Sequence, residues 1–231
     1  MGHLSELKGV EKPVTEWLSK MGWTFKSNDD LKKYERAFSK PIIEQILIEK
    51  TSKINAISED IARHAVELLL QNLNNPIPIL GNEAFLDKLV SGVTISIKNN
   101  DIDVHFIDFE NIWENDFTVT NQYWVQGYKM VKTDIVLLVN GIPLVPIEAK
   151  QRARKGTNWL EGVAQFSTYD QRADKLYMCH SFGVACNGRI AKYGIPGASS
   201  SYFNEWKSTL LDVSQPNPIM EPTNDLCPCY Q

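Results

Sequence analysis

The stretch Thr133–Gln151, TDIVLLVNGIPLVPIEAKQ, constrains the fold more than any other. Two runs of aliphatic residues flank Asn140-Gly141, a pair suited to the positive φ angles of a tight hairpin turn. The segment therefore predicts two adjacent antiparallel strands. Into this apolar pair the chain sets Asp134 near one end and Glu148 and Lys150 near the other. A carboxylate in a buried strand is costly unless it is paired or holds a cation.

Spacing narrows the geometry. Residues two apart in a strand share a face, so Glu148 and Lys150 point one way and Ile147 and Ala149 the other. Taken alone, Glu148 and Lys150 read as a salt bridge at a strand end. Asp134 changes the weighing, because its strand folds back onto theirs. A plain two-residue turn sets Asp134 opposite Ile147, with its side chain on the wrong face. A three-residue loop, Asn140 to Ile142, or a bulge near Pro146 brings it opposite Glu148. Two adjacent carboxylates repel unless they share a proton or a cation. With a lysine beside them, Mg²⁺ (or Mn²⁺) is the natural occupant, a hard cation that takes oxygen ligands. Such a cation polarises a phosphoryl oxygen and acidifies a bound water, as phosphodiester hydrolysis requires. In that arrangement Asp134 and Glu148 hold the metal, the carbonyl of Ala149 adds a ligand, and Lys150 faces the attacking water and the developing charge.

The surrounding pattern is that of an α/β domain. Apolar residues at Val14, Trp17, Leu18 and Met21 predict an amphipathic helix stopped by Gly22, with a short strand at Trp23–Phe25. A second helix is expected from Pro41 with Ile42, Ile43, Ile46 and Leu47 inside, and a third capped by Ser58 with Ile61, Ala65, Leu68 and Leu69 inside. NEAFLDKLVSG is a fourth. From Val93 the chain changes to strands, including DVHFIDF and DFTVTNQYWVQG. TNWLEGVAQFSTYDQRA then predicts one helix with Leu160, Val163, Ala164 and Ser167 on its face, followed by strands in LYMCHSFGVACNG and RIAKYGI. Helices that precede, interrupt and flank a small sheet imply a layered α/β domain over residues 1–198, with a Ser-, Asn- and Pro-rich linker or tail over 199–231.

The 231 residues, 43% hydrophobic and 23% charged, are ordinary for a water-soluble globular protein. No apolar run is long enough to span a membrane and the N-terminus lacks a signal-peptide core, so a cytoplasmic location is expected. The net charge of −4 weighs against an extended DNA clamp but not against a local metal-centred site. Cys179 and Cys186 read as reduced core residues, and the terminal Cys227-Pro-Cys229 lacks the second pair of a zinc knuckle.

Asp134, thirteen intervening residues and Glu148-x-Lys150 resemble the PD-(D/E)xK nuclease motif, with Thr133 in place of its proline. FIDFENIWENDFTVTNQYWVQG followed by TDIVLLVNGIPLVPIEAKQ is more specific. It resembles the N-terminal nuclease domain of type I restriction endonuclease R subunits, over roughly Glu11 to Gly194. The resemblance implies a restriction-endonuclease-like core, a mixed central β-sheet flanked by helices, with a helical N-terminal portion. It implies a Mg²⁺-dependent endodeoxyribonuclease with Asp134, Glu148 and Lys150 at its centre, acting on DNA with separate specificity and modification subunits.

Two further features come from the same likeness. Gln165 and Tyr169, in QFSTY, resemble the QxxxY motif of these nucleases and would support the active site and DNA contact; without the likeness they read as a polar helix edge. Related resolvase-like nucleases carry an accessory metal-site glutamate on the first helix, which here would be Glu11, with Glu16 its competitor. Arg152, Arg154 and Lys155 follow Lys150 and could contact phosphates beside the metal, although a charge run also suits a solvated loop. No base-reading module is apparent. Complete R subunits continue into an ATP-driven motor, but this chain contains no G-x-x-x-x-G-K-[ST] loop, so ATP would act only through a motor that these residues lack. A nuclease-fold binding or assembly module, with little cleavage of its own, and a nuclease-fold protein acting on RNA are the competing expectations.

Overall fold

The computed structural model describes residues 10–97, 100–150, 159–187, 190–195 and 197–206. Helix α1 (Lys12–Lys20), strand β1 (Thr24–Phe25) and a short helix α2 (Asn28–Lys32) open the chain. Helices α3 (Glu44–Asn55), α4 (Glu59–Leu70) and α5 (Pro78–Ser91) follow, then a hairpin of β2 (Val93–Ile97) and β3 (Asn100–Val104). The central strands are β4 (Phe117–Gln126), β5 (Met130–Val139) and β6 (Ile142–Ala149). Helices α6 (Trp159–Phe166), α7 (Tyr169–Arg172) and α8 (Asp174–Cys179) lead into β7 (Gly183–Cys186), β8 (Ala191–Gly194) and β9 (Asn204–Glu205).

Seven strands form one mixed sheet in the order β1-β4-β5-β6-β7-β8-β9. The β1–β4 and β6–β7 pairs are parallel and the others antiparallel. One face, with Val119, Ile135, Leu137, Val145, Ile147 and Ala149, packs on Val10 and the α1 residues Val14 and Leu18. The other carries Val136, Leu138, Ile142 and Ala185 against a larger helical layer that includes Leu47, Leu69, Phe85, Val163, Phe166 and Leu176. The sheet is thus sandwiched by helices, a restriction-endonuclease-like arrangement.

The register of the β5–β6 hairpin decides where the acidic residues go. Val139 pairs with Ile142 across a two-residue turn in which Asn140 (φ 50°) and Gly141 (φ 82°) are both left-handed. The Asn140 side chain is fully buried and ties the turn down, donating to the carbonyl of Phe106 and to Asn115 Oδ1, both at 2.8 Å. Leu138 pairs with Pro143 but Leu137 pairs with Val145, so Leu144 is an extra residue, a bulge two positions from Pro146. Beyond it Val136 meets Pro146 and Ile135 meets Ile147. The same register carried one residue further sets Asp134 opposite Glu148. The plain hairpin register, which would turn Asp134 away, is avoided by the bulge and not by a longer loop.

Several elements differ from the sequence-based expectation. The second helix starts at Glu44 instead of Pro41, because Ile43 donates its N–H to Gly141 and so belongs to the hairpin's surroundings. Of the four apolar residues expected on the inner face of the first helix, Val14 and Leu18 pack on the core, while Trp17 and Met21 are exposed; Thr15 of α1 is buried as well. The helix expected over TNWLEGVAQFSTYDQRA ends at Phe166, where Ser167 and Thr168 turn their hydroxyls back onto the carbonyls of Ala164 and Gln165, both at 2.8 Å. Its buried residues are Gly162, Val163 and Phe166, not Leu160, Ala164 and Ser167. LYMC is the end of helix α8 and not a strand, since a short apolar run suits a buried helix equally well. DVHFIDF is strand only as far as Val104. Residues 200–205, read from sequence as linker, form a 3₁₀ turn and the edge strand β9, and Phe203 is buried.

Candidate active site

Asp134 and Glu148 lie on the sheet face covered by α6 and reach the same point. Asp134 Oδ2 accepts the N–H of Ala149 at 2.9 Å, which draws the β6 main chain and the carboxylate together. The side chain of Glu148 is wholly buried and that of Asp134 is mostly so. Lys150 continues the sheet, donating its N–H to the carbonyl of Cys186 at 2.8 Å. Its ammonium stands 3.6 Å from Glu148 Oε2 and 3.9 Å from Asp134 Oδ2, and donates to Gln165 Oε1 at 3.0 Å. Tyr169 donates its phenol hydrogen bond to Glu148 Oε1. Gln165 and Tyr169 come from different helices, α6 and α7, yet reach the lysine and the glutamate in turn.

The electrostatics follow from burial. Loss of water, and then the charge of Asp134, push the Glu148 carboxyl well above the usual carboxylate range; the Tyr169 hydrogen bond and Lys150 oppose this. Burial, and then the charge of Glu148, raise the Tyr169 phenol. Glu148 Oε2 is buried and has no hydrogen-bond partner among the described residues. An acid held in this way favours either a proton or a cation at Oε2.

A hard divalent cation suits these donors: an orphaned carboxylate oxygen and a second carboxylate opposite. Among the described residues no three His, Cys, Asp or Glu side chains converge as metal ligands, so such a cation would rest on two carboxylates, backbone and water. Glu11 does not join them directly. It is 2% exposed at the start of α1, and both of its oxygens accept from Gln122 Nε2, at 3.2 and 3.1 Å. Glu16, its competitor in the sequence, is exposed and pairs with Lys12 at 3.7 Å. Arg152, Arg154 and Lys155 lie outside the described residues.

Three residues around this centre carried no warning in the sequence. Gly162 of α6 lies so close to the sheet that a Cβ there would stand 3.2 Å from that of Glu148 and 3.0 Å from that of Ala185. His180 is buried behind Tyr169, with ring centroids 6.1 Å apart. Gln122 has a left-handed backbone (φ 54°) inside strand β4.

A helix-flanked mixed sheet that turns two facing carboxylates and a lysine to one point has the organisation of a restriction-endonuclease-like core. Residues 3–200 match the family described as type I restriction enzyme R protein N terminus (HSDR_N), and the chain belongs to that family. It is 24% identical over 209 residues to the type I restriction enzyme HindI endonuclease subunit of Haemophilus influenzae, an alignment covering 86% of this chain and 20% of that protein. It is 38% identical over 95 residues to the type I restriction enzyme SauCOLORF180P endonuclease subunit of Staphylococcus aureus strain COL, covering 41% of this chain and 10% of the relative. At 17%, 20% and 21% of the first three curated relatives, the chain spans about a fifth of their length. No helix among the described residues is long and apolar enough to cross a membrane.

Proposed function

We propose that this chain is a DNA-cleaving module: a Mg²⁺-dependent endodeoxyribonuclease of the PD-(D/E)xK kind, serving a cytoplasmic type I restriction complex with specificity and modification subunits. The observation that carries the reading is the buried pair of Asp134 and Glu148, with an orphaned Glu148 oxygen and Lys150 at 3.6 and 3.9 Å. Hydrolysis adds a water oxygen to phosphorus and breaks one P–O ester bond, and the leaving oxygen takes up a proton. A bound Mg²⁺ would supply charge stabilisation on the phosphoryl oxygens and a more acidic water. Asp134, Glu148 and the Ala149 carbonyl would hold that cation. Lys150 orients the attacking water and stabilises the charge growing on phosphate. Gln165 fixes the lysine and Tyr169 fixes the glutamate.

Plasmid nicking in Mg²⁺ tests this. Asp134→Ala, Glu148→Ala and Lys150→Ala should each abolish nicking while circular dichroism stays that of the folded protein. Nicking at the wild-type rate by the triple variant would refute the assignment. One observation favours the second reading, a DNA-binding or assembly module with little cleavage in isolation: Asp134 Oδ2 is engaged by the Ala149 N–H, and no third acidic ligand converges among the described residues. Calorimetry that detects DNA binding but no Mg²⁺ or Mn²⁺ binding would favour it.

A further inference from the structure

Among the described residues, four that are not glycine have positive φ: Glu35, Ala56, Gln122 and Asn140. Ala56 is the C-cap of α3, Asn140 is in the hairpin turn and Glu35 lies outside every helix and strand. Gln122 alone sits within a strand, where a left-handed residue is strained and persists only if its surroundings hold it. Its place in the register is specific. Asn121 pairs with Ile135 and Tyr123 with Thr133, so Gln122 interrupts the ladder at the position facing Asp134.

The surroundings do hold it. Asn28 Nδ2 donates to the carbonyls of Asn121 and Gln122, at 3.2 and 2.9 Å, satisfying acceptors on either side of the break. The Gln122 amide reaches back to α1 and donates to both oxygens of buried Glu11. Three elements, α1, α2 and β4, therefore meet at the residue across from the candidate metal ligand.

We propose that Gln122 is a positioning residue of the metal site: its left-handed backbone opens the β4–β5 ladder beside Asp134, and its amide holds Glu11 to serve a bound cation through water, from outside the ligand shell. This rests on the nuclease reading above. It accounts for a buried glutamate that does not converge with Asp134 and Glu148. It also gives the strained backbone a use, since groups behind the ligands of a metal fix their orientation and commonly contribute 10–100-fold, roughly, to affinity.

The test is Mn²⁺ binding to the 231-residue chain without DNA, by titration calorimetry, with thermal melting in parallel. Gln122→Asn is the informative variant, because Asn tolerates the left-handed region while its shorter side chain cannot reach Glu11. Mn²⁺ affinity should fall about tenfold while the melt stays cooperative, with the melting temperature lowered by the loss of a donor to buried Glu11. Glu11→Gln should cost about as much, and the double variant little more than either alone, as for two groups acting as one unit. Gln122→Gly, which accepts the backbone without strain, provides a second route to the same loss. Wild-type affinity in folded Gln122→Asn and Gln122→Gly overturns the proposal, and so do fully additive losses in the double variant. Asp134→Asn separates the two levels. If the wild type binds Mn²⁺ and needs Asp134 while the Gln122 variants are indistinguishable from it, only this inference fails. If the wild type binds no Mn²⁺, or Asp134→Asn leaves binding unchanged, the nuclease-site reading fails and this inference with it.

Discussion

Tyr169 holds one oxygen of Glu148 while the other, Oε2, accepts no hydrogen bond and faces its ion-pair partner Lys150 at 3.6 Å. The division of labour within one carboxylate is informative. The phenol satisfies and orients Oε1, and Oε2 is left for a proton or a cation. The surrounding groups pull in opposite directions: burial and Asp134 favour the neutral acid, Tyr169 and Lys150 the anion. Proton and cation therefore compete for Oε2, and the state of Glu148 should respond to both pH and divalent metal.

Tyr169→Phe removes the phenol while keeping the ring against Phe166 and His180. With a donor to the anion gone, the Glu148 carboxyl rises further and the charged form needed to bind a cation is harder to reach. Nicking should then need about tenfold more Mg²⁺ for half-saturation, and its optimum should move to higher pH. Folding should weaken by about 1–2 kcal/mol, the cost of one buried acceptor left without its partner. Unchanged Mg²⁺ dependence in the variant would remove Tyr169 from the site.

Glu148 also predicts how the metal-free protein responds to pH. Its carboxyl is raised in the folded state, so between the ordinary carboxylate value and the raised one the folded protein binds more protons than the unfolded chain. Stability should therefore fall as pH rises through that window, and at neutral pH the buried charge should weigh against folding. Glu148→Gln should remove this dependence and raise the melting temperature at pH 7. Millimolar Mg²⁺ should restore the wild type at pH 7 and leave the variant unaffected. Melting curves from pH 5 to 8, with and without Mg²⁺, would read all three.

His180 works in the other direction. Burial holds its imidazole neutral, pushing it down to about 3, and neither ring nitrogen has a partner among the described residues. An unfolded histidine takes up a proton near its ordinary value, so from there down to about 3 the unfolded state binds more protons and stability is lost as pH falls. The slope approaches ~1.4 kcal/mol per pH unit for one such group. His180→Leu should flatten the acid limb of a stability–pH curve between pH 6 and 4. Denaturant melts at those pH values would show it, and an unchanged acid limb would mean that the histidine is already paired or solvated.

The convergence of Asp134, Glu148 and Lys150 was legible in the sequence, and the residues packed round this candidate site were not. Asn140-Gly141 and two apolar runs are enough to specify a hairpin, and the face on which Glu148 and Lys150 emerge follows from a period of two. That Asp134 had to be brought round by a bulge or a longer loop could be reasoned out, but not which. The bulge falls at Leu144, a residue with no special backbone chemistry, because both the turn and the pairing with β7 hold the strand ends in place. Gln165 and Tyr169 were visible only through likeness to a family, since a Gln and a Tyr four apart are common on any helix. Gln122 and His180 were invisible because their significance is tertiary: one depends on where α1 comes to rest, the other on what closes over Tyr169. The LYMC segment misled for a related reason, as four buried apolar residues have no periodicity to separate helix from strand.

Gly162 supplies the last expectation, because there two effects of similar size oppose each other in stability but not in activity. It sits in α6, where alanine would favour the helix by about 1 kcal/mol. Yet the new methyl would stand 3.0 Å from the Ala185 Cβ and 3.2 Å from the Glu148 Cβ, closer than packed carbons normally come. Relief requires α6 to move off the sheet or Glu148 to shift, at a cost of roughly 1–3 kcal/mol. Net stability should change little, so Gly162→Ala should melt within a few degrees of the wild type. Activity has no such compensation. Moving α6 also moves Gln165, and with it the hydrogen bond that fixes Lys150. Moving Glu148 spoils its alignment with Asp134. Plasmid nicking should fall at least tenfold, on the general expectation that displacements near 1 Å at a catalytic centre are costly. Wild-type nicking by a variant with an unchanged melting temperature would show that the helix does not set the position of Glu148.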